Sequence, residues 1–193
     1  MLRHTLTMSL AGDPNAAGQH PLSCLVLDLR HMTAAWDAPP WRIVAGALAR
    51  TSFQPAIGAV ILFRLGQAAY PRRATRPFAQ WCKARAIRTA GAELHPAAQI
   101  GPGFALVHSV GIVIGHEVRA GRDLVVYQGV TLGHGGGSEG QPSLGDGVRV
   151  GAGAKVLGPV HIGDGARIGA NAVVLADVPA GQTVVGVWKG RSD

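Results

Sequence analysis

The sequence predicts a mainly β protein, a β-helix of six-residue repeats over residues 93–193 behind a small α-helical region. Three observations carry that reading. Aliphatic residues recur every sixth position from Leu94 onward, 28 glycines accompany only 15% charged residues, and the segment before residue 92 has helical periodicity instead. Few charges and many glycines disfavour helical bundles and disorder, and favour a turn-rich β architecture with tight corners.

The first 38 residues mix Gly, Pro, Asn and His without sustained periodicity, so they read as a loosely ordered leader with one short helix near Leu25 to Met32. Residues 39–92 read as a helical cap. Its segments are Trp41 to Ala49, Phe53 to Tyr70 with Phe53, Ile57, Ile61 and Leu65 at i, i+4 steps, and Arg76 to Arg88 with Phe78, Trp81 and Ile87. Pro55, Pro71 and Pro77 fall near segment ends, where proline is tolerated.

From Leu94 the anchors are Leu94, Ile100 and Leu106, then after a two-residue slip Ile114, Ala120, Val126 and Leu132, then after an insertion Leu144, Val150, Val156, Ile162, Ile168 and Val174. A fixed period of this kind defines a solenoid. In a three-sided coil each hexapeptide supplies one short strand and one corner, and each anchor points inward, stacked on its equivalent about 4.8 Å away in the next coil. The insertion, residues 133–143 reading GHGGGSEGQPS, cannot belong to a coil and is expected to leave it as a loop.

The net charge of +7 is concentrated in residues 38–92, which hold Arg42, Arg50, Arg64, Arg72, Arg73, Arg76, Lys83, Arg85 and Arg88 and no acid. The stretch 72–88 suits contact with an anionic surface or simply a solvated helix face; no nucleic-acid partner is expected. Cys24 and Cys82 show no metal spacing and read as reduced thiols. The longest apolar run, Ala56 to Phe63, is too short to span a bilayer and no secretory signal is visible, so the protein is expected in the cytoplasm.

Acyl transfer to a hydroxyl needs a base, a group orienting it, donors for the oxyanion and a site for the nucleotide tail. His108, at the repeat slip, is a candidate base or a surface imidazole. Glu93 starts the coil whose third face ends near His108, so the two are expected at one corner, with Glu93 either orienting the imidazole or solvated. Backbone N–H groups near Gly133 are candidate oxyanion donors. Lys155 and Arg167, beside small Gly-Ala corners, are candidate phosphate ligands or plain surface charges. Of the other histidines, His95 reads as structural, and His116, His134 and His161 as solvated. No two of them have zinc-site spacing along the chain, and no catalytic metal is expected.

The runs GAELHPAAQIGPGFALVHSVGIVIG, YQGVTLGHGG and LGDGVRVGAGAKVLGPVHIGDGARIGANAVVLADVP, with SFQPAIGAVILFRLGQAAY before them, resemble the serine O-acetyltransferases of cysteine biosynthesis. The resemblance implies a left-handed parallel β-helix and a homotrimer with acetyl-CoA bound between subunits. It further implies that His108 is the general base and that Glu93 stands in place of the family's orienting aspartate. Ala152, Arg167 and Ala170 match positions lining the coenzyme A groove, with Arg167 in place of a lysine. Two acceptor-side positions depart from the pattern. Val107 stands where the family has an aspartate, and Gly140 and Gln141 precede Pro142 where it has Arg-His. The acceptor is therefore expected to be a small molecule with a hydroxyl, serine or another. Sugar, exopolysaccharide and secondary-metabolite acceptors remain open, as does a non-catalytic trimeric scaffold. The helical region is shorter than the family's N-terminal domain, which joins two trimers, so one trimer is expected.

Overall fold

The computed structural model describes residues 20–136 and 140–190. Most of the expected leader and the tip of the expected loop lie outside the described residues. Helix α1 spans Pro21–Thr33, α2 Pro40–Arg50, α3 Pro55–Ala69 and α4 Arg76–Ala90. Each carries a proline in its first turn, where the missing N–H has no helical partner to lose. The last helix ends at Gly91, whose φ of 64° lets the chain turn sharply into the β-helix.

Among the described residues, fifteen short strands, numbered in chain order, form three parallel sheets. The first face holds β1 (Glu93–Leu94), β4 (Val113–Ile114), β7 (Thr131–Gly133), β10 (Lys155–Leu157), β13 (Val173–Val174) and β15 (Val187–Trp188). The second holds β2 (Gln99–Ile100), β5 (Arg119–Ala120), β8 (Ser143–Leu144) and β11 (His161–Ile162). The third holds β3 (Ala105–Leu106), β6 (Val125–Val126), β9 (Arg149–Val150), β12 (Arg167–Ile168) and β14 (Thr183–Val184). An uninterrupted coil takes 18 residues, as the Ile114–Leu132 pairing shows.

All the expected anchors are buried, each as the second residue or the middle of its strand. A second inward column, two residues earlier, fills the rest of the core: Phe104, Ile112, Val118, Leu124, Val130 and Val148 are buried, with alanines in most other coils. The inward positions therefore number two per hexapeptide, which the six-residue period alone leaves undivided.

The helices close the first coil. Small residues make the α4 interface: Ala79, Cys82, Ala86 and Ala90 are buried, whereas Phe78, Trp81 and Ile87, which mark its periodicity, stay exposed. Small side chains allow α4 to approach α3 closely and leave its large apolar residues pointing outward. Phe53 likewise precedes α3 and is 86% exposed, while Ile57 is buried with Leu29, Ile43 and Ala47 in a second small core.

Helix α1 is longer than the sequence suggests and is docked firmly. Asp28 is buried and accepts from Arg64 Nε at 2.6 Å, Arg64 Nη2 at 3.1 Å, and the Gly103 and Phe104 amides at 2.9 Å each. Arg64 also donates to Gln67 Oε1, Ile100 O and Gly101 O, which satisfies its full fork of donors. Burial pushes the Asp28 carboxyl up against the pull of Arg64 and the two amides. Among the described residues, no helix is long and apolar enough to cross a membrane.

Candidate functional site

Each coil has a corner where the third face turns into the first, and these corners stack in register. Gly129 N donates to Val110 O, Gly153 N to Gln128 O and Asn171 N to Ala152 O, each within 2.7–2.9 Å. Val110, Gln128, Ala152 and Ala170 therefore form one column down an edge of the molecule, as the period requires. In the first coil this corner contains the two-residue slip, and the extra residues push the backbone outward. Val107, His108 and Val110 are exposed there while Ser109 is buried.

Among the described residues, His108 stands on that edge with no hydrogen-bond or ion-pair partner. It opens onto a cavity of about 400 Å³ between the slip and the helical cap, walled by Met32, Phe53, Ile57, Val107 and Val110. Among the described residues, no acidic or basic side chain other than His108 lines it. Two and three steps along the same column lie Ala152 and Ala170, half-buried and exposed respectively. Beside them on the third face Arg167 pairs in register with Arg149, both exposed. Arg149 escapes a search for single charged positions; an 18-residue offset from Arg167, one coil, would have found it.

Glu93 reaches the same corner only through its backbone. Its N–H donates to Ile112 O at 2.8 Å and Gly111 N donates to Gly91 O at 2.9 Å, so the slip lies against the turn that leads into β1. The Glu93 carboxylate is engaged elsewhere, accepting from Lys83 Nζ at 2.8 Å, and no described bond joins it to His108. Lys155 is also occupied. Its ammonium donates to Gly129 O at 2.5 Å and Thr131 Oγ1 at 3.1 Å across the first face, so it serves the coil stack.

Gly133 and Gln141 lie at the opposite edge of the first face. Gly133 ends β7 and Ser143 opens β8, so both pair within the coil and the excursion is narrower than the expected 133–143; Gln141 precedes β8 where the chain returns. Within the chain the structure thus separates these two from His108, by the width of the first face. At this edge Gln141 Oε1 accepts from Glu117 N at 3.1 Å and its amide nitrogen lies 3.3 Å from His116 Nδ1. The rings of His95, His116 and His134 follow one another here at 5.6 and 5.9 Å. Burial, with Lys83 and His116 nearby, holds the His95 imidazole below its usual range, against the opposing effect of Glu93.

Comparison with known proteins agrees with this architecture. Residues 142–176 match the family model of bacterial transferase hexapeptide repeats. A 76-residue segment is 47% identical to the serine acetyltransferase of Helicobacter pylori, covering 38% of this chain and 42% of that protein. The chain thus matches less than half the length of this curated relative. Among solved structures, the serine acetyltransferase of Neisseria gonorrhoeae in complex with serine is 31% identical with a TM-score of 0.73, over 89% of this chain and 70% of that one. The serine acetyltransferase of Brucella abortus is 30% identical with a TM-score of 0.72, over 86% and 65%. A parallel β-helix with this helical cap, this coil register and this likeness over most of its length belongs to the serine acetyltransferase family.

Proposed function

We propose that the protein is an acetyl-CoA-dependent O-acetyltransferase that converts L-serine and acetyl-CoA into O-acetylserine and CoA, the entry step of cysteine biosynthesis. The observation that carries this reading is His108, an exposed imidazole without a partner among the described residues, opening onto a cavity in a chain of this family. In the proposed step the imidazole takes the acceptor hydroxyl proton as the oxygen attacks the thioester carbonyl. The tetrahedral oxyanion then collapses, the C–S bond breaks, and the CoA thiolate leaves and regains the proton. Arg149 and Arg167 would receive the nucleotide phosphates, and the Ala152–Ala170 corner would let the pantetheine arm lie close to backbone.

The separation of His108 from Gly133 and Gln141 supports a homotrimer, in which a partner's loop edge would complete the site. Two buried free cysteines accord with a cytoplasmic location. In this reading Glu93 is a positioning carboxylate that exchanges Lys83 for His108 during the cycle.

A second acceptor class rests on a specific observation. Among the described residues, the wall beside His108 carries Val107 and other apolar groups and no charge that would neutralise a zwitterion. A neutral hydroxyl acceptor, such as a sugar, would fit it. Thiol release from acetyl-CoA, measured side by side with L-serine, homoserine and nucleotide sugars, distinguishes the two. Serine-dependent release that disappears in His108→Ala is expected; release with none of the acceptors would leave the β-helix a scaffold.

A further inference from the structure

We propose that His116, Glu117 and His134 form a surface site for a divalent transition metal ion of the zinc class, at the base of the excursion loop. One ligand atom from each lies within 4.8 Å of the others. The scaffold explains why. His116 follows β4 and His134 follows β7 at equivalent positions one coil apart, and the backbone ladder between Ile114 and Leu132 holds the two Cα atoms in register. Adjacent coils are spaced about 4.8 Å. Two imidazoles borne on adjacent coils, their rings tilted at 52° with centroids 5.9 Å apart, can converge on one ion, and the carboxylate of Glu117 closes the set.

Four-coordinate zinc holds nitrogen and oxygen ligands at about 2.0–2.2 Å, so its ligand atoms sit roughly 3.3 Å apart. His116 Nε2 already faces Glu117 Oε1 at 3.8 Å. All three side chains are exposed, so small rotations about their own bonds close the remaining distance without moving the core. The Gln141 amide nitrogen lies against His116 Nδ1 while its oxygen accepts the Glu117 N–H, so ligation through His116 Nε2 requires the Gln141 side chain to release Nδ1 and the ring proton to move there. His95 stays outside the set, because its Nδ1 accepts the Ala97 N–H at 3.1 Å and the ring proton is left on Nε2. Two imidazoles and one carboxylate suit zinc, nickel or cobalt rather than calcium or magnesium, which prefer oxygen; a water fills the fourth position. The ion would tie the start of the loop to the coil beneath it. Nothing in the proposed acetyl transfer uses this ion, so the site stands or falls separately.

Equilibrium dialysis of the full chain against Zn²⁺, and separately Ni²⁺, tests the assignment. Saturable binding of one ion per chain is expected. His116→Ala and His134→Ala should each weaken it about tenfold or more with unchanged far-UV circular dichroism, while His161→Ala should leave it intact. Absence of saturable binding, or binding that survives both His116→Ala and His134→Ala, overturns the proposal.

Discussion

Arg64 and Asp28, 36 residues apart on α3 and α1, form a bidentate ion pair that is shut off from solvent, with side chains 1% and 0% exposed. The pair also holds the backbone of the first coil through Ile100, Gly101, Gly103 and Phe104. It is the polar rivet between cap and β-helix, and it shapes the wall of the cavity beside His108 by fixing α1.

Removing one partner leaves a buried charge unpaired, so Arg64→Met or Asp28→Ala should destabilise the fold by about 3–5 kcal/mol. The paired change Asp28→Ala with Arg64→Met should recover part of that loss, because both charges go together. Urea unfolding of the three variants checks this; full additivity of the two single losses would contradict it.

Glu93 and Lys83 can be separated by kinetics. Glu93→Gln should lower turnover by roughly ten- to a thousandfold if the carboxylate positions the imidazole. Lys83→Met should leave turnover within about threefold, since a half-exposed ion pair contributes about 0–1 kcal/mol. Equal losses in both variants would assign Glu93 to the ion pair alone.

Arg149→Ala and Arg167→Ala should each raise the KM for acetyl-CoA about tenfold while kcat changes little, the pattern of uniform binding lost. An acetyl-pantetheine substrate lacking the nucleotide should be insensitive to both changes. Sensitivity to the arginines with that truncated substrate would place them elsewhere in the cycle.

Burial pushes the Cys24 and Cys82 thiols above the usual thiol range, and both side chains are enclosed. Native protein at pH 8 should therefore resist alkylation at both, and urea should expose them. The sign for stability follows from the raised folded value: the contribution is whole below the unfolded thiol's pKa and declines as pH rises past it. Unfolding free energy should thus fall above about pH 9 in wild type and less so in Cys24→Ala with Cys82→Ala.

Much of this was legible in the chain. The aliphatic column Leu94 to Val174, the excursion after Leu132 and the helices from Trp41 onward follow from periodicity, because a solenoid repeats its environment at a fixed step. His108 was legible too, since the slip that displaces it is visible as an eight-residue gap between Leu106 and Ile114. Asp28 was not: nothing local distinguishes an acidic residue on an amphipathic helix from one that accepts four hydrogen bonds in a core. Nor was the exposure of Phe78 and Trp81, because periodicity marks a helix without saying which neighbour is close enough to need alanines.

The sequence by itself determined the coil, its interruptions and which residues stand on which corner, since each of these depends only on counting along a regular backbone. Only the tertiary structure decided which side chains pair across that regularity. It gave Glu93 to Lys83, tied Lys155 to Gly129, joined Arg64 to Asp28 and set His116 beside His134. Those choices depend on how the helical cap docks and how side chains compete for partners in three dimensions, and neither is a periodic property of the chain.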